Sequence, residues 1–517
     1  MFRRGTGWGR RLRRGAALTV VLALAAAFAG ASWGAGGYDP ASDPYSMYNV
    51  TLQTGVQSWW DAGYTGAGVD VAVIDSGVAP VEGLNTPGKV FYGPDLSLES
   101  QNPSLRNYDT YGHGTFMAGL IAGHDSTLTA PYSAAPASIY RGVAPDARIV
   151  SLKVATADGG ADVSQVIAAI DWVVQHAHDP GFNIRVISLS YGTNTKQPYG
   201  VDPLAYAVEQ AWKKGIVVVA AAGNTGYQRG KNAPGLADPA YDPYAIGVGG
   251  YDTMGTAAFN DDKMGSYSAS SAGCGECKNP DFVAVGSHLQ GLRVPNSWTD
   301  ANHPEGRIDD RYFRGSGTSE ATAIASGMIA LILQKYPNLT PDQVKRLISD
   351  NGQKVPGADD QAQGGGEISL AKIAKKQPAN YTQKFTNSTG LGSLELSRGS
   401  DHVKRDGVVL TGEQDIFGKP FNAASMANAE AAGNSWSDGS WNGNVWTASS
   451  WSASTWSAST WSASSWSGST WSSSSWSAST WSGSSWSDAT WTGSSWSGDT
   501  WSGGTWSGGS WDGASWG

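Results

Sequence analysis

The chain has 517 residues and a formal net charge of −9 at pH 7, with 44 acidic against 35 basic side chains. That length can bury a large core and leaves room for two to four domains, while the acidic balance excludes the electrostatic footprint of a nucleic-acid binder. The N-terminus deepens the imbalance. Arg3, Arg4, Arg10, Arg11, Arg13 and Arg14 precede an apolar run over 16–29 and a small-residue site at Ala29, Gly30 and Ala31. Residues 1–31 therefore read as an export signal, and its removal would take the charge to −15. No later run is long enough to span a bilayer, so the expectation is a secreted, extracellular or cell-surface chain with no transmembrane segment once mature.

Residues 32–47 form a short polar lead, and the globular part is expected over 48–375. The run 69–74 (VDVAVI), closed by Asp75, Ser76 and Gly77, predicts a buried strand with a carboxylate at its C-terminal tip. Residues 111–123 (YGHGTFMAGLIAG) bracket His113 with glycines and continue as a small-residue helix. A strand over 148–154 leads to a helix capped by Asp162, with Val163, Val166, Ile167, Ile170, Val173 and Val174 at helical spacing. Strand 184–189 runs into Ser190, Tyr191 and Gly192, and a helix follows at about 203–214. The apolar strand 216–222, which includes Ala221 and Ala222, ends in Gly223 and Asn224. Thr340, Pro341 and Gln343 open another helix with a capping box and proline at its first position. Apolar strands alternating with amphipathic helices predict an α/β fold. Its mainly parallel sheet is covered on both faces and carries its functional groups at the C-terminal strand ends.

The chemistry gathers on 315–327, GSGTSEATAIASG. Ser319 stands behind small residues at the start of a helix-compatible run, where free N–H groups and the helix dipole favour negative charge. An unassisted hydroxyl is a poor nucleophile, so this reading requires a base, an orienting acid and an oxyanion donor elsewhere. The only cysteines, Cys274 and Cys277, lie in CGEC. With no redox βαβ context and only His288 as a nearby third ligand, they read as a small local disulfide rather than a redox or zinc site.

VAVIDSGV around Asp75, GHGTFMAG around His113 and GTSEATAIASG around Ser319 resemble the three motifs of the subtilisin-like serine proteases, in that family's order. RGVAPDARIVSLKV, SLSYG and AAAGN extend the likeness over about 45–350. The resemblance implies a subtilisin-like three-layer α/β fold and peptide-bond hydrolysis. Ser319 would be the nucleophile, His113 the base and Asp75 its orienting acid, with Asn224 and the Ser319 N–H as the oxyanion hole. Ser190, Tyr191, Gly192, Ala221, Ala222 and Gly223 would edge a cleft that pairs with extended polypeptide substrates. No cofactor is needed for that chemistry. The resemblance leaves room for structural calcium, to which no metal residues are assigned.

Departures from the family pattern are Phe116 for a usual histidine, and Ala323 and Ile324 for proline and histidine. Glu320 replaces the usual methionine after the nucleophile, and is expected to favour Lys or Arg on the leaving side and to raise the His113 pKa. Relatives usually carry a domain-sized N-terminal propeptide, and 32–56 is too short to be one.

Beyond about Lys375 the composition becomes polar and small, so 376–435 reads as a linker, with a hairpin expected within 398–418. From Trp436 to Trp516 a tryptophan recurs every fifth residue, seventeen in all, in a repeat tail over 436–517. Five fits neither a helix face nor a strand face. A β-solenoid with one pentad per side and an extended tail that binds cell-wall or glycan polymers both satisfy the pattern. The sequence supports a secreted endopeptidase with a surface-attaching tail. Its alternative is a surface adhesin on an inactive scaffold of the same fold.

Overall fold

A strand without polar alternation must be covered on both faces, and β1 (Asp70–Asp75) is buried at all six positions. In the computed structural model the described residues are 37–445, except 101, 227–234, 273–276, 401, 406, 407 and 438, together with four strands between 453 and 512. The expected export signal over 1–31 lies outside them. Beside β1 the central sheet contains β2 (Val90–Tyr92), β3 (Arg148–Lys153), β4 (Ile184–Leu189), β5 (Val217–Ala221), β6 (Ile246–Asp252), β7 (Lys263–Met264) and β8 (Phe282–Val285). The order is β2-β3-β1-β4-β5-β6, with β8 parallel and β7 antiparallel to β6 and every other pair parallel. The chain passes from β1 outward to β3 and then back across it to β4, so β1 sits where the strand order reverses. In open α/β sheets that is where sites form.

The helices are α1 (Met47–Gln53), α2 (Val56–Asp61), α3 (His113–Ala122), α4 (Val163–His176), α5 (Pro203–Lys213), α6 (Trp298–Asn302), α7 (Thr318–Lys335) and α8 (Pro341–Ser349). Asp162 caps α4 and Thr340 caps α8, each through a capping box, and Asp202 caps α5 ahead of Pro203. Helices α4 and α5 share one core with the sheet residues Ala72, Ile74, Val150, Leu152, Ile187 and Val218. Helix α7 contacts β4, β5, β6 and β8, and α3 contacts both β1 and α7. α7 is buried nearly all round, as an apolar, small-residue helix inside a layered domain should be. The fold is the expected three-layer α/β arrangement with a mainly parallel sheet. A two-stranded ribbon, β9 (Leu289–Leu292) with β10 (Tyr312–Gly315), leads into α7.

Residues 377–445 differ from a linker. Leu394, Ile416, Phe421, Met426, Trp436 and Trp441 join the same apolar core as α4 and α5. The Trp436 indole N–H donates to the Ala168 carbonyl and that of Trp441 to the Asp171 carboxylate, both at 2.8 Å. Arg398 and Asp162 form an ion pair at 2.6 Å with neither side chain exposed. Single apolar anchors separated by polar turns bury this segment without any periodicity that composition could reveal. Within it β11 (Lys404–Arg405) pairs antiparallel with β12 (Val408–Val409). Further on, β13 (Trp436–Ser437), β14 (Ser440–Trp441) and β15 (Asn444–Val445) form a three-stranded meander.

In the tail, β16 (Ala453–Gly468), β17 (Trp471–Asp488), β18 (Trp491–Gly508) and β19 (Trp511–Asp512) pair in parallel at an offset of twenty residues, for example Trp456↔Trp476↔Trp496. Parallel neighbours need a return crossover. With two residues between successive strands, the return has to be made within the strands themselves, which gives one coil per four pentads.

Cys277 is disulfide-bonded, while Cys274 lies outside the described residues. Among the described residues no helix is long and apolar enough to cross a membrane, and no three His, Cys, Asp or Glu side chains are grouped to hold a metal. One cation-shaped cradle is filled by the chain itself. The Lys278 ammonium donates to the carbonyls of Ala240, Asp242 and Ala245 at 2.8, 2.8 and 2.9 Å, and pairs with Asp281 at 2.9 Å.

Candidate active site

Asp75 ends β1 with its side chain almost wholly covered. Its Oδ1 accepts from the Ser76 backbone N–H at 2.7 Å. His113, the first residue of α3, brings Nδ1 to 2.8 Å from Oδ1 and 3.0 Å from Oδ2. An ionised carboxylate only accepts, so Nδ1 carries a proton and Nε2 is the nitrogen left for chemistry. This approach needs Gly114, because a Cβ there would overlap the Gly77 carbonyl.

Asp109 holds the turn before α3. It accepts from the backbone N–H groups of Gly112 at 2.6 Å and Thr115 at 2.7 Å, and from the Ser76 hydroxyl at 2.8 Å. Burial nevertheless holds its carboxyl above the usual range. Sequence reasoning passed over this residue, although an acid just ahead of a helix is a capping signal.

Ser319 is the second residue of α7 and is partly exposed. Ser190, just past β4, donates its hydroxyl to the Ser319 carbonyl at 3.2 Å, which ties the first turn of α7 to the segment holding Tyr191 and Gly192. The oxygen of the exposed Asn224 side chain accepts from the Thr318 N–H and hydroxyl, each at 3.0 Å, and the Thr318 hydroxyl accepts from the Gly223 N–H at 3.2 Å. With its oxygen engaged, the Asn224 amide presents its NH₂ on the other side. Thr318 is therefore an orienting residue that the motif reading missed. Ala221 and Ala222 are buried beneath it, and Gly223 has a φ of 107° that favours glycine. Asp75 and His113 are thus in direct contact, and Asn224, Gly223 and Ser190 are bonded to the first turn of α7. Among the described residues no hydrogen bond joins the Ser319 hydroxyl to His113.

Glu320 is buried, with its carboxylate close against Gly315 and Gly317, neither of which could carry a Cβ without crowding it. It faces His113 across a cavity of about 420 Å³ whose walls include Tyr111, Phe116, Trp298 and Arg314. Tyr111 and Trp298 stack there with ring centres 5.4 Å apart. Burial opposes a charge on His113, but the Asp75 carboxylate, then Glu320 and Asp109, outweigh it and hold the imidazole up at about 9. The side chain still keeps 27% of its surface open to solvent, which limits the burial cost. Burial also pushes the Glu320 carboxyl up, and the His113 charge pulls it back.

A sequence model of the subtilase family matches residues 66–366. Serine protease AprX of Bacillus subtilis (strain 168) is 35% identical over 307 residues, which cover 59% of this chain and 65% of that protein. Subtilisin DY of Bacillus licheniformis is 32% identical over 294 residues, covering 57% of this chain and 86% of the other. The chain therefore spans less than two thirds of AprX and most of subtilisin DY. The crystal structure of a cold adapted subtilisin-like serine proteinase, 28% identical, covers 60% of this chain and 91% of its own, with a TM-score of 0.44.

The His113 environment can be read by titration. NMR of the imidazole should give a midpoint near 9, and Glu320→Gln should lower it by removing one of the stabilising charges. A wild-type midpoint at or below the ordinary 6.5 contradicts the arrangement. The associated folding stability is fully present below about pH 6.5 and is lost as pH rises through about 9.

Proposed function

The chain belongs to the subtilase family, and from that membership we propose that it is a secreted serine endopeptidase that cleaves polypeptides through an acyl-enzyme. The observation that carries the reading is the double contact of His113 Nδ1 with the Asp75 carboxylate, beside a helix whose first turn holds Ser319. The Ser319 Oγ attacks the scissile carbonyl carbon while His113 Nε2 takes the hydroxyl proton. Asp75 keeps the imidazole in the right tautomer and steadies its positive form. The carbonyl oxygen becomes an oxyanion that accepts from the Asn224 NH₂ and the Ser319 N–H. His113 then returns the proton to the departing amine as the C–N bond breaks. Water, deprotonated by His113, attacks the acyl carbon, and the acid product leaves with Ser319 restored.

The substrate's acyl side pairs as an extended strand with Ser190–Gly192, while Ala221–Gly223, with the main-chain groups of Ala222 and Gly223 bonded within the chain, wall the cleft. On the leaving side Glu320 lines the cavity beside His113, and its carboxylate favours Lys or Arg after the cut bond. The arginine-rich leader over 1–31 supports export, and the tryptophan-repeat tail supports attachment to cell-wall or glycan polymers at the surface. Structural calcium remains a proposal with no residues attached to it.

A serine-directed fluorophosphonate should label the wild-type chain and leave Ser319→Ala unlabelled, with labelling speeding up as pH rises toward 9; an unlabelled wild type at any pH ends the peptidase reading and leaves the adhesin. Cleavage of a peptide library should show Lys and Arg enriched after the cut bond and lose that enrichment in Glu320→Gln. Equal profiles remove Glu320 from specificity. The full-length chain should sediment with purified cell wall while a chain ending at Val445 stays in solution, and equal partitioning removes the tail's role.

A further inference from the structure

We propose that the extension around Leu394–Arg398 is a brace for the peptide-binding edge: it holds the loop Thr193–Gln197, and through it Ser190–Gly192, in the shape that receives an extended substrate. The inference rests on reading Ser190–Gly192 as that edge. The loop is the edge's direct continuation, and its side chains are spent on the extension. The Thr193 hydroxyl donates to the Ser397 carbonyl at 2.5 Å in a buried contact, and the Thr195 hydroxyl donates to the Leu396 carbonyl at 2.6 Å. Asn194 and Ser400 exchange two hydrogen bonds, at 2.6 and 2.8 Å. Gln197 accepts from the Ser393 N–H at 2.8 Å and donates to the Ser393 carbonyl at 3.1 Å.

On its other side Thr193 and Asp238 exchange both backbone hydrogen bonds at 3.0 Å, the Tyr241 hydroxyl donates to the Gln197 carbonyl at 3.2 Å, and the Gln197 amide donates to Asp202 at 2.8 Å. Thr193 is therefore clamped between the domain and the extension, two residues from Tyr191. The brace is itself anchored. Arg398 closes this short helix with a guanidinium buried against Asp162, the residue that caps α4. Ser397 adds a buried hydroxyl bond, at 2.6 Å, to Asp202, the cap of α5. The short helix is thus tied to the starts of two helices and can position a loop that would otherwise be free on that side.

The edge in turn reaches the nucleophile, because the Ser190 hydroxyl bonds the Ser319 carbonyl. A brace of this kind acts on extended peptides, which lie along the edge, and not on a small acylating reagent, which meets only the serine. Its loss weakens uniform binding and raises KM without changing kcat.

The test uses the full chain carrying Thr193→Val, Asn194→Ala and Thr195→Val together, a set that removes the three loop side chains' bonds and keeps the loop length. For a tetrapeptide amide, KM is expected to rise about three- to tenfold, the scale of one or two lost hydrogen bonds, with kcat and the fluorophosphonate labelling rate within about twofold of wild type. Amide hydrogen exchange at 190–192 should quicken about tenfold while β1 exchanges as before. An unchanged KM with unchanged exchange at 190–192 overturns the brace. So does a loss of KM, kcat and labelling together with faster exchange in β1, which marks a merely structural contact. Should wild type fail to label while exchange at 190–192 still responds to the triple variant, the peptidase reading falls and the brace on that loop stands.

Discussion

A carboxylate at the end of a strand that has no water on either side is costly unless its oxygens are occupied. Asp75 is in that position, and the neighbourhood of the site is arranged around occupying it. Ser76 takes one direction with its backbone N–H, and the His113 ring takes the other. The ring can arrive only if α3 starts within reach of β1, which is why Gly114 lacks a side chain and why Asp109 ties the preceding turn to Ser76. α7 then packs on α3 and brings Glu320 to the cavity that His113 also lines. The placing of the His113 ring is a by-product of satisfying one buried anion.

The second organising fact is that the α4 and α5 layer is not an outer surface. Its apolar residues continue into Leu394, Ile416, Phe421 and Trp441, so the folded unit extends well past the stretch that resembles the family. The Arg398–Asp162 pair helps explain the docking. A fully desolvated pair adds little net stability against an apolar substitute, yet any misplacement that strands one partner is heavily penalised. Such a contact specifies where the extension lies more than how tightly it holds.

Much of the fold was legible because its signals are periodic. The all-apolar run before Asp75, the helical spacing after Asp162 and the box at Thr340 each predict one element from local physics, and the structure forms strand or helix at each. β2 and β7, at three and two residues, are too short to carry a period. In the site, His113 and Ser319 announce themselves by their small neighbours, whereas Thr318 and Asp109 matter through contacts with residues distant in sequence or across a turn. The extension was the least legible part. Trp436 and Trp441 look like the first members of a repeat, yet the helix Ala423–Ala432 leads them to α4 as core anchors. Composition cannot separate a tryptophan that begins a tail from one that ends a core.

Lys278 shows the same economy at another corner. Three main-chain oxygens and the Asp281 carboxylate converge on a positive charge that is covalently part of the polypeptide. A counter-ion of that kind has no dissociation constant. Dilution, dialysis or a chelator cannot strip it from this position, so below about pH 8, to which burial lowers the Lys278 ammonium, the loop between Ala240 and Ala245 keeps its charged partner whatever salts surround it.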